Sequence, residues 1–361
     1  MQPIVALGCG LVGEYVIHRL VDDGHKVTAV DIRIPKSLIE REGVSSIEQD
    51  AYTYIASLTS PTVIINMLPG RIGHEIRKPL IEGGHNIVDL AFTEEDPQTF
   101  DALAKQHSAT MIWDIGIAPG LSNMLLAQAQ RELGPMDDVS IRVGGNPTEA
   151  DEEWSYMAPF SPSDVIEEYT RPARIVRNGS IISVPALAER HRIEVEGTEG
   201  MDAFLTDGLR SVLTTIEATN MAEYTVRWPQ HIDRWLAEGN TTPEHELLDA
   251  WKFDRRRPEF TWMKVRCEAN DSVREWTVVD YGKDGDGSMA RTTGLVTYAL
   301  ASLFVTKGAE YCGLKAGVHS PELVNEATLH YVLDIFKKHG VSISYHWLIT
   351  MWTRHSWNEF T

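Results

Sequence analysis

The sequence predicts an α/β fold in which a doubly wound parallel sheet is combined with an inserted α+β domain built on an antiparallel sheet. Three observations lead to this prediction. A glycine-rich turn follows the first apolar run, short apolar strands alternate with helical stretches over the first ~120 residues, and apolar and polar residues alternate along the middle of the chain. The length of 361 residues exceeds one ordinary domain and indicates two.

The first apolar run and the turn after it have the composition of a phosphate-binding loop. The turn reads Gly8-Cys9-Gly10-Leu11-Val12-Gly13. Gly8 permits a tight turn, Gly10 lets the backbone approach a pyrophosphate, and Gly13 lets the following helix pack closely on the sheet. The N–H groups and the positive dipole end of that helix favour an anion. The turn therefore predicts a Rossmann-type dinucleotide site contacted by Gly8, Gly10, Leu11, Val12 and Gly13.

The next apolar run ends at Asp31, which has the position of a ribose-binding carboxylate. Such a residue is expected roughly twenty positions after the glycine turn, where it accepts hydrogen bonds from the ribose hydroxyls. Because a carboxylate repels a 2′-phosphate, Asp31 favours NAD over NADP. Arg33 keeps NADP open, since a guanidinium binds a phosphate or stacks on adenine. Ile32 lies between these two residues and is assigned to the same site.

Three later apolar strands are predicted to extend the parallel sheet. They cover residues 63–68, 86–90 and 111–114. In an open parallel sheet, ligands bind outside the carboxyl ends of the strands. We therefore expect the following strand-end residues to face the cofactor: Asn66, Met67, Leu68, Pro69, Asp89 and Asp114.

The middle of the chain has the alternation of an antiparallel sheet with one solvated face. Clear examples are residues 139–143, 191–195, 263–267 and 275–279. Helical patterns return later, and we expect them to pack on the first domain. The predicted division is a dinucleotide-binding domain of residues 1–122 and 292–361, and a substrate and dimerisation domain of residues 123–291. Exposed sheet edges and faces seek cover, so we expect a homodimer or a higher homo-oligomer.

The net charge of −19 argues against nucleic acid and against an anionic membrane surface as partners. No apolar run approaches the ~18 residues of a membrane span, and a strand stands where a signal peptide would need a basic and then an apolar segment. The three cysteines suit reduced thiols. We therefore expect a cytoplasmic protein. No metal is expected, because His231, His245 and His319 lack a ligand spacing.

Six segments carry a resemblance to a known family. They cover residues 114–123, 161–169, 203–210, 223–231, 291–294 and 317–322. In this order they resemble the saccharopine dehydrogenase-like family and, within it, the short L-lysine 6-dehydrogenase type. The resemblance extends over nearly the whole chain. Saccharopine-forming members usually have Asp-Pro-Gly where this chain has Ala118-Pro119-Gly120, and the missing carboxylate favours the lysine-type branch.

The resemblance implies NAD-dependent oxidative deamination of an amino acid, with L-lysine oxidised at its ε-carbon to 2-aminoadipate 6-semialdehyde and ammonia. Arg227 matches the family arginine that binds a substrate carboxylate, for which a planar fork of donors is suited. Glu168 and Asp207 are carboxylates in lysine-type segments, where one would hold the substrate ammonium or act as a base. Asp114 is the third catalytic candidate. Two further residues are assigned to the substrate, namely Arg291 and Thr293.

Two alternatives remain open. One is imine reduction, as in saccharopine or carboxynorspermidine formation, although such substrates carry more carboxylates and require more cationic residues than Arg227. The other is a non-catalytic nucleotide-sensing protein that keeps the dinucleotide site and lacks turnover. The glycines of the turn and Asp31 are all present, so the site itself shows no decay.

Overall fold

A computed structural model describes residues 3–160 and 162–349. Residue 161, which begins one of the family-like segments, and residues 350–361, which belong to the predicted first domain, lie outside the described part. No helix within the described part is both long enough and apolar enough to cross a membrane.

The strands follow one another along the chain in the order listed here. They are β1 (Ile4–Leu7), β2 (Val27–Asp31), β3 (Val44–Glu48), β4 (Val63–Asn66), β5 (Asn86–Asp89), β6 (Thr110–Ile112), β7 (Met136–Pro147), β8 (Ala173–Arg177), β9 (Ser180–Val184), β10 (His191–Ile193), β11 (Met201–Leu205), β12 (Ala218–Arg227), β13 (Glu259–Ala269), β14 (Ser272–Tyr281), β15 (Gly317–His319) and β16 (Ser342–Ile349).

The α-helices alternate with these strands. They are α1 (Leu11–Asp22), α2 (Lys36–Ile39), α3 (Ala51–Ile55), α4 (Gly70–Glu82), α5 (Asp101–Gln106), α6 (Leu121–Leu133), α7 (Pro162–Thr170), α8 (Val212–Thr215), α9 (Pro229–Arg234), α10 (Glu244–Ala250), α11 (Ser288–Lys307) and α12 (Glu326–Lys338).

The first sheet is parallel throughout, with the strand order β15-β6-β5-β4-β1-β2-β3. The chain leaves β1 toward β2 and β3 on one side and later toward β4, β5 and β6 on the other. A crevice therefore opens beyond the carboxyl ends of β1 and β4, where the direction of winding changes. This arrangement confirms the predicted doubly wound sheet. Its edge strand β15 comes from the later part of the chain, where only helices were expected, because three residues are too short to show an alternating pattern.

The second sheet has the order β10-β11-β12-β7-β13-β14-β16, with β8 and β9 attached beside β12. It is mixed rather than antiparallel, because β7 and β12 run in the same direction. The last strand, β16, pairs with β14. Residues 342–349 are therefore part of the second sheet. The sequence-based prediction had the whole segment 292–361 in the first domain. The alternation from Ile343 to Trp347 is the strand pattern that this assignment overlooked.

Helix α11 holds the two sheets together. Its residues from Ser288 to Phe304 are buried almost without interruption. It packs against α1 and contacts β4 and β5 of one sheet and β13 and β14 of the other. At Gly294 the approach to α1 is so close that a Cβ atom would lie 2.7 Å from Cδ1 of Tyr15. The crevice of the first sheet consequently faces one end of the second.

Candidate active site

A cleft of about 750 Å³ lies between the carboxyl edge of the first sheet and the second sheet. The first domain lines it with the glycine turn, the ends of β2 and β4, and the turn from Gly116 to Pro119. The second domain lines it with residues of α7, β11–β12 and the N-terminal part of α11. One continuous space therefore joins the predicted dinucleotide site to the predicted substrate domain.

The glycine turn has the geometry that its sequence predicts. Gly8 has a φ of +93°, and a Cβ atom there would lie 2.6 Å from the carbonyl oxygen of Met67. A Cβ atom at Gly13 would overlap the carbonyl oxygen of Gly8, so only glycine allows α1 to start this close to β1. At Gly10, by contrast, a Cβ atom would meet nothing within 4 Å. This open space at the N-terminus of α1 fits the diphosphate of a dinucleotide.

Asp31 is held by backbone amides at the far end of the cleft. Its Oδ2 accepts a hydrogen bond from Cys9 N at 2.7 Å, and its Oδ1 accepts one from Arg33 N at 3.0 Å. The carboxylate lines the cleft and has room to accept ribose hydroxyls. Ile32 also lines it and is 80% exposed, which offers an apolar surface for an adenine ring. The Arg33 side chain is exposed and is not among the lining groups.

Sequence reasoning missed the other wall of this adenine-side space. Gln49, Asp50 and Ala51 follow β3 and line the cleft there. Asp50 accepts a hydrogen bond from Thr53 N at 3.1 Å and thereby caps α3. An aspartate just before a helical pattern is the signal that was available in the sequence.

The strand ends divide into two groups. Met67, Leu68 and Pro69 line the cleft as expected. Asn66 and Asp89 do not line it, so their assignment to the cofactor is corrected. Both are fully buried and hydrogen-bonded to each other at 3.2 Å, and Asp89 forms an ion pair with Arg77 of α4 at 2.8 Å. They fasten α4 to the sheet because their side chains point beneath that helix.

Asp114 lies in the cleft wall but is already paired. Arg210 donates from Nε to Oδ2 of Asp114 at 2.8 Å, and its guanidinium lies over the ring of Phe92 at 4.9 Å. Oδ1 of Asp114 and Nη2 of Arg210 are buried, and neither has a hydrogen-bond partner in the part of the chain that the structure describes. Burial raises the pKa of Asp114, against the opposing effect of Arg210. The pair connects the end of the first sheet to the second domain.

Arg227 is the centre of a buried hydrogen-bond network. Its Nη2 donates to Oε2 of Glu168 at 2.9 Å, and its Nε donates to the hydroxyl of Tyr169 at 3.1 Å. Its guanidinium also lies 4.7 Å from the centre of the Tyr156 ring. Glu168 therefore already occupies one arm of the fork that was predicted to bind a substrate carboxylate.

The network continues behind Arg227 to a neutral histidine. Nδ1 of His231 faces the carbonyl oxygen of Trp154 at 2.9 Å and must carry a proton, since that oxygen can only accept. Nε2 then accepts from the hydroxyl of Tyr169 at 2.9 Å. Burial lowers the pKa of His231 to about 3. The histidine thus orients Tyr169, and through it Arg227, without charge of its own.

Three carboxylates converge on this side of the cleft. Glu168 comes from α7, Asp207 from the loop after β11, and Glu223 from β12, and all three line the cavity. Asp207 is bound by Arg174, whose Nε and Nη2 each donate at 2.8 Å. Burial raises the pKa of Glu168, which Arg227 opposes. The cluster gives this part of the cleft an acidic surface.

Glu223 is the residue of this cluster that sequence reasoning missed. It is buried, and its Oε2 has no hydrogen-bond partner among the described residues. It shares the cleft-facing side of β12 with Thr225 and Arg227, because side chains two positions apart lie on one face of a strand. The even spacing between Glu223 and Arg227, which places both side chains on one face of a strand, was the signal in the sequence that could have identified Glu223.

The two remaining residues predicted to bind the substrate lie in different places. Thr293 of α11 lines the cleft. Arg291 does not, and its assignment to the substrate is corrected. Its Nε and Nη2 donate to the two carboxylate oxygens of Asp280 at 2.7 and 3.1 Å, and Nη2 also donates to the carbonyl oxygen of His339. The guanidinium of Arg291 is therefore occupied by Asp280 of β14. This bidentate pair anchors α11 on the second sheet.

No group of three or more His, Cys, Asp or Glu side chains in residues 3–160 and 162–349 is arranged to hold a metal ion.

Residues 116–238 match the family model of the saccharopine dehydrogenase C-terminal domain. The match begins at the cleft-lining turn and includes Glu168, Asp207, Glu223 and Arg227. It thus covers the part of the chain that supplies the acidic cluster.

Two solved structures share the fold of almost the whole chain. Apo saccharopine dehydrogenase (L-Glu forming) from Saccharomyces cerevisiae superposes with a TM-score of 0.73 at 15% identity, covering 96% of this chain and 100% of that one. Homospermidine synthase from Legionella pneumophila, solved in complex with NAD, gives a TM-score of 0.69 at 14% identity and covers 96% and 91% of the two chains. The chain therefore has the fold of saccharopine dehydrogenase, with the C-terminal domain model of that family matched within residues 116–238.

Proposed function

We propose that the chain is a member of the saccharopine dehydrogenase-like family and an NAD-dependent dehydrogenase acting on amines, whose substrate is an amino acid. L-Lysine, oxidised at its ε-carbon, is the specific candidate. The match over residues 116–238 and the shared fold support the family. The continuous cleft between the glycine turn and the acidic cluster supports the chemistry.

The residues of the first domain fit a dinucleotide. The open space at Gly10 would take the diphosphate, Asp31 the adenosine ribose, and Ile32 the adenine. Met67, Leu68 and the turn from Gly116 to Pro119 would border the nicotinamide. When bound, the nicotinamide accepts a hydride from the substrate carbon.

The observation that carries the proposal is the acidic cluster of Glu168, Asp207 and Glu223. An amine substrate arrives as a cation whose N–H groups donate to carboxylate oxygens, and Glu223, once ionised, adds a negative charge beside the two ion pairs. Asp207 and Glu168 are held in place by Arg174 and Arg227, so the cluster is rigid before any substrate enters. A site built only to bind a nucleotide would have no need of these groups.

A second candidate is reduction of an imine that joins an amine to a carbonyl acid, the reverse type of chemistry. The matched domain model and the yeast structure favour it, since both bear the saccharopine dehydrogenase name. The cleft counts against it, because Glu168 already neutralises Arg227 and a substrate with several carboxylates needs further cations.

The test is to follow NADH absorbance after adding NAD with L-lysine, L-ornithine or saccharopine, and to repeat each reaction with NADP. We expect reduction with L-lysine and a preference for NAD. Reduction with saccharopine but not with lysine would support the second candidate. Tight NAD binding without turnover on any amine would support a nucleotide sensor.

We also propose that the chain forms a homo-oligomer. The edge strand β16 exposes Trp347 and Leu348, whose side chains are 61% and 52% accessible. An open edge strand with exposed apolar side chains is a natural surface for association. Light scattering of the eluted protein measures its mass in solution, and a monomer at micromolar concentration would exclude this proposal.

A further inference from the structure

Glu223 has a side chain that the fold makes room for. A Cβ atom at position 208 would overlap the carboxyl group of Glu223, so Gly208 leaves the space that this group occupies. The alternation of β12 turns Glu223, Thr225 and Arg227 toward the cleft, while Tyr224 and Val226 belong to the apolar cluster on the opposite face. The space left by Gly208 and the direction set by β12 therefore determine together where the carboxyl group lies.

Glu223 differs from its two acidic neighbours in having no ion-pair partner within the described part of the chain. Glu168 is paired with Arg227 and Asp207 with Arg174, each at 2.8–2.9 Å. Oε2 of Glu223 accepts no hydrogen bond from any described residue, although it is buried. A buried polar atom without a partner is costly, and Glu223 lines the cleft, so its carboxyl group is placed to exchange a proton with a molecule bound there.

We propose that Glu223 is the general base that takes a proton from the substrate ammonium before oxidation. The inference rests on the proposed amine dehydrogenase function. In this step one N–H bond breaks, its electron pair stays on nitrogen, and the proton bonds to a carboxylate oxygen of Glu223, which becomes a neutral carboxylic acid. The lone pair freed on nitrogen can then form the C=N bond as the carbon gives up its hydride. Glu168 and Asp207 are less suited, because their carboxylate oxygens are already bound by Arg227 and Arg174.

The electrostatic surroundings prepare Glu223 for this exchange. Burial, together with the nearby charges of Glu168 on α7 and Asp207 after β11, raises the pKa of Glu223 to about 8. The cations behind these two carboxylates are Arg227 of β12 and Arg174 of β8. Three further ionisable groups border this side of the cleft: Asp164, Glu167 and Arg171. The base form appears as the pH rises through about 8, so the rate should rise over the same range.

The test compares Glu223→Gln with Glu217→Gln, the same change at an exposed position just before β12. We expect Glu223→Gln to lower kcat with L-lysine and NAD by about 10²- to 10⁴-fold and to abolish the rising pH limb. The dissociation constant of NAD should stay within a factor of about two. Glu217→Gln should match the wild type, and Glu223→Asp should retain the pH limb with a reduced kcat.

Infrared difference spectra of the unliganded protein give a readout that does not need turnover. The carbonyl stretch of a protonated carboxyl group should disappear as the pH rises through about 8 in the wild type and in Glu217→Gln, and should be absent in Glu223→Gln. A wild-type protein without this titrating band overturns the inference. Wild-type turnover with an unchanged kcat and pH limb in Glu223→Gln overturns it as well and leaves the proposed function intact. Absence of wild-type turnover on every amine overturns the proposed function itself.

Discussion

The guanidinium of Arg227 already has partners within the protein before any substrate binds. It forms an ion pair with Glu168 at 2.9 Å and donates a hydrogen bond to the hydroxyl of Tyr169. That hydroxyl is in turn held by a hydrogen bond to His231. A substrate carboxylate at this place would share the fork with Glu168 or displace it. The contribution of Arg227 to binding must therefore be separated from its contribution to stability.

The variant Arg227→Ala should lose both contributions. Glu168, whose side chain is 22% accessible, loses its partner at a cost of about 1–3 kcal/mol, so Tm falls, and the KM for L-lysine rises if the arginine binds the carboxylate. The double variant Arg227→Met with Glu168→Gln removes both charges and should recover most of the Tm. If it also recovered the KM, Arg227 would have no part in substrate binding. Thermal melts and initial rates of the same preparations measure the two effects.

Asp31 allows a similar separation of the two nicotinamide cofactors. Asp31→Asn keeps an oxygen that accepts from Cys9 N but removes the negative charge. A hydrogen bond to a charged group contributes about 1.5–3 kcal/mol, so the dissociation constant of NAD should rise about ten- to hundredfold. Affinity for NADP should fall less or increase, because the repulsion of a 2′-phosphate is gone. Calorimetric titration with both cofactors tests this, with Arg33→Ala as the variant expected to weaken NADP alone.

The sequence predicted the cofactor half of the site better than the substrate half. Gly8 and Gly13 are constrained by local backbone geometry, which a short motif records. Glu223 acquires its role from Gly208, Glu168 and Asp207, which lie on other elements and meet it only in the folded chain. Arg291 was misassigned because a shared segment does not reveal that Asp280 occupies its side chain.

Among the elements, α11 determines how the two sheets meet. It contacts both sheets and is anchored by the Arg291–Asp280 pair on one side and by the close approach of Gly294 to Tyr15 on the other. The sequence predicts a helical pattern only over residues 297–307, the C-terminal part of this helix. That both of its sides would be covered was not evident, because a helix that is apolar all round indicates burial without naming its neighbours.

The variant Gly294→Ala should weaken this junction. The added methyl group would lie 2.7 Å from the Tyr15 ring, and overpacking of this kind costs about 1–3 kcal/mol. We expect Tm to fall by several degrees while the fold is kept. Adding Tyr15→Leu should make room for the methyl group, so the combined loss should be smaller than the sum of the single losses. Strict additivity in the double-mutant cycle would show that the contact is not strained.

Strands β15 and β16 show where sequence patterns stop being informative. Three residues of β15 join the first sheet, and β16 joins the second, although both follow α11 in the chain. Hydrophobic periodicity predicts whether a segment forms a strand, while the partner of that strand depends on the path of the chain between them. The chain thus returns to the first sheet with β15 and leaves it again.

At the scale of the whole molecule, two polar connections between described residues tie the first sheet to the second domain. One is the Asp114–Arg210 pair. The other is Glu322, just after β15, whose carboxylate accepts from Ser211 at 3.0 Å, Thr215 at 2.7 Å and Asn123 at 3.3 Å. Both connections join the first sheet to the segment around α8.

The raised pKa of Glu223 predicts how stability depends on pH. Between the unfolded pKa of 4.5 and the folded pKa of about 8, the folded protein binds a proton that the unfolded chain has released. Stability associated with this group therefore decreases as the pH rises through that window, by about 1.4 kcal/mol for each unit of pKa difference. Glu223→Gln should have a higher Tm than the wild type at about pH 9, and the difference should vanish at about pH 5.

Melting curves over this range measure the effect, with Glu217→Gln as the control. A constant difference between Glu223→Gln and the wild type at all pH values would mean that the pKa of Glu223 is not raised by folding.

All three cysteines of the sequence are buried as free thiols. Burial raises the pKa of Cys9 to about 12, and it raises those of Cys267 and Cys312 as well. Since the thiolate is the reactive form, these side chains should resist maleimides and similar reagents at neutral pH. A cysteine introduced on each side of the cleft would therefore accept a fluorophore selectively, without prior removal of the native thiols. Distances between two such dyes would follow opening and closing of the domains in single molecules.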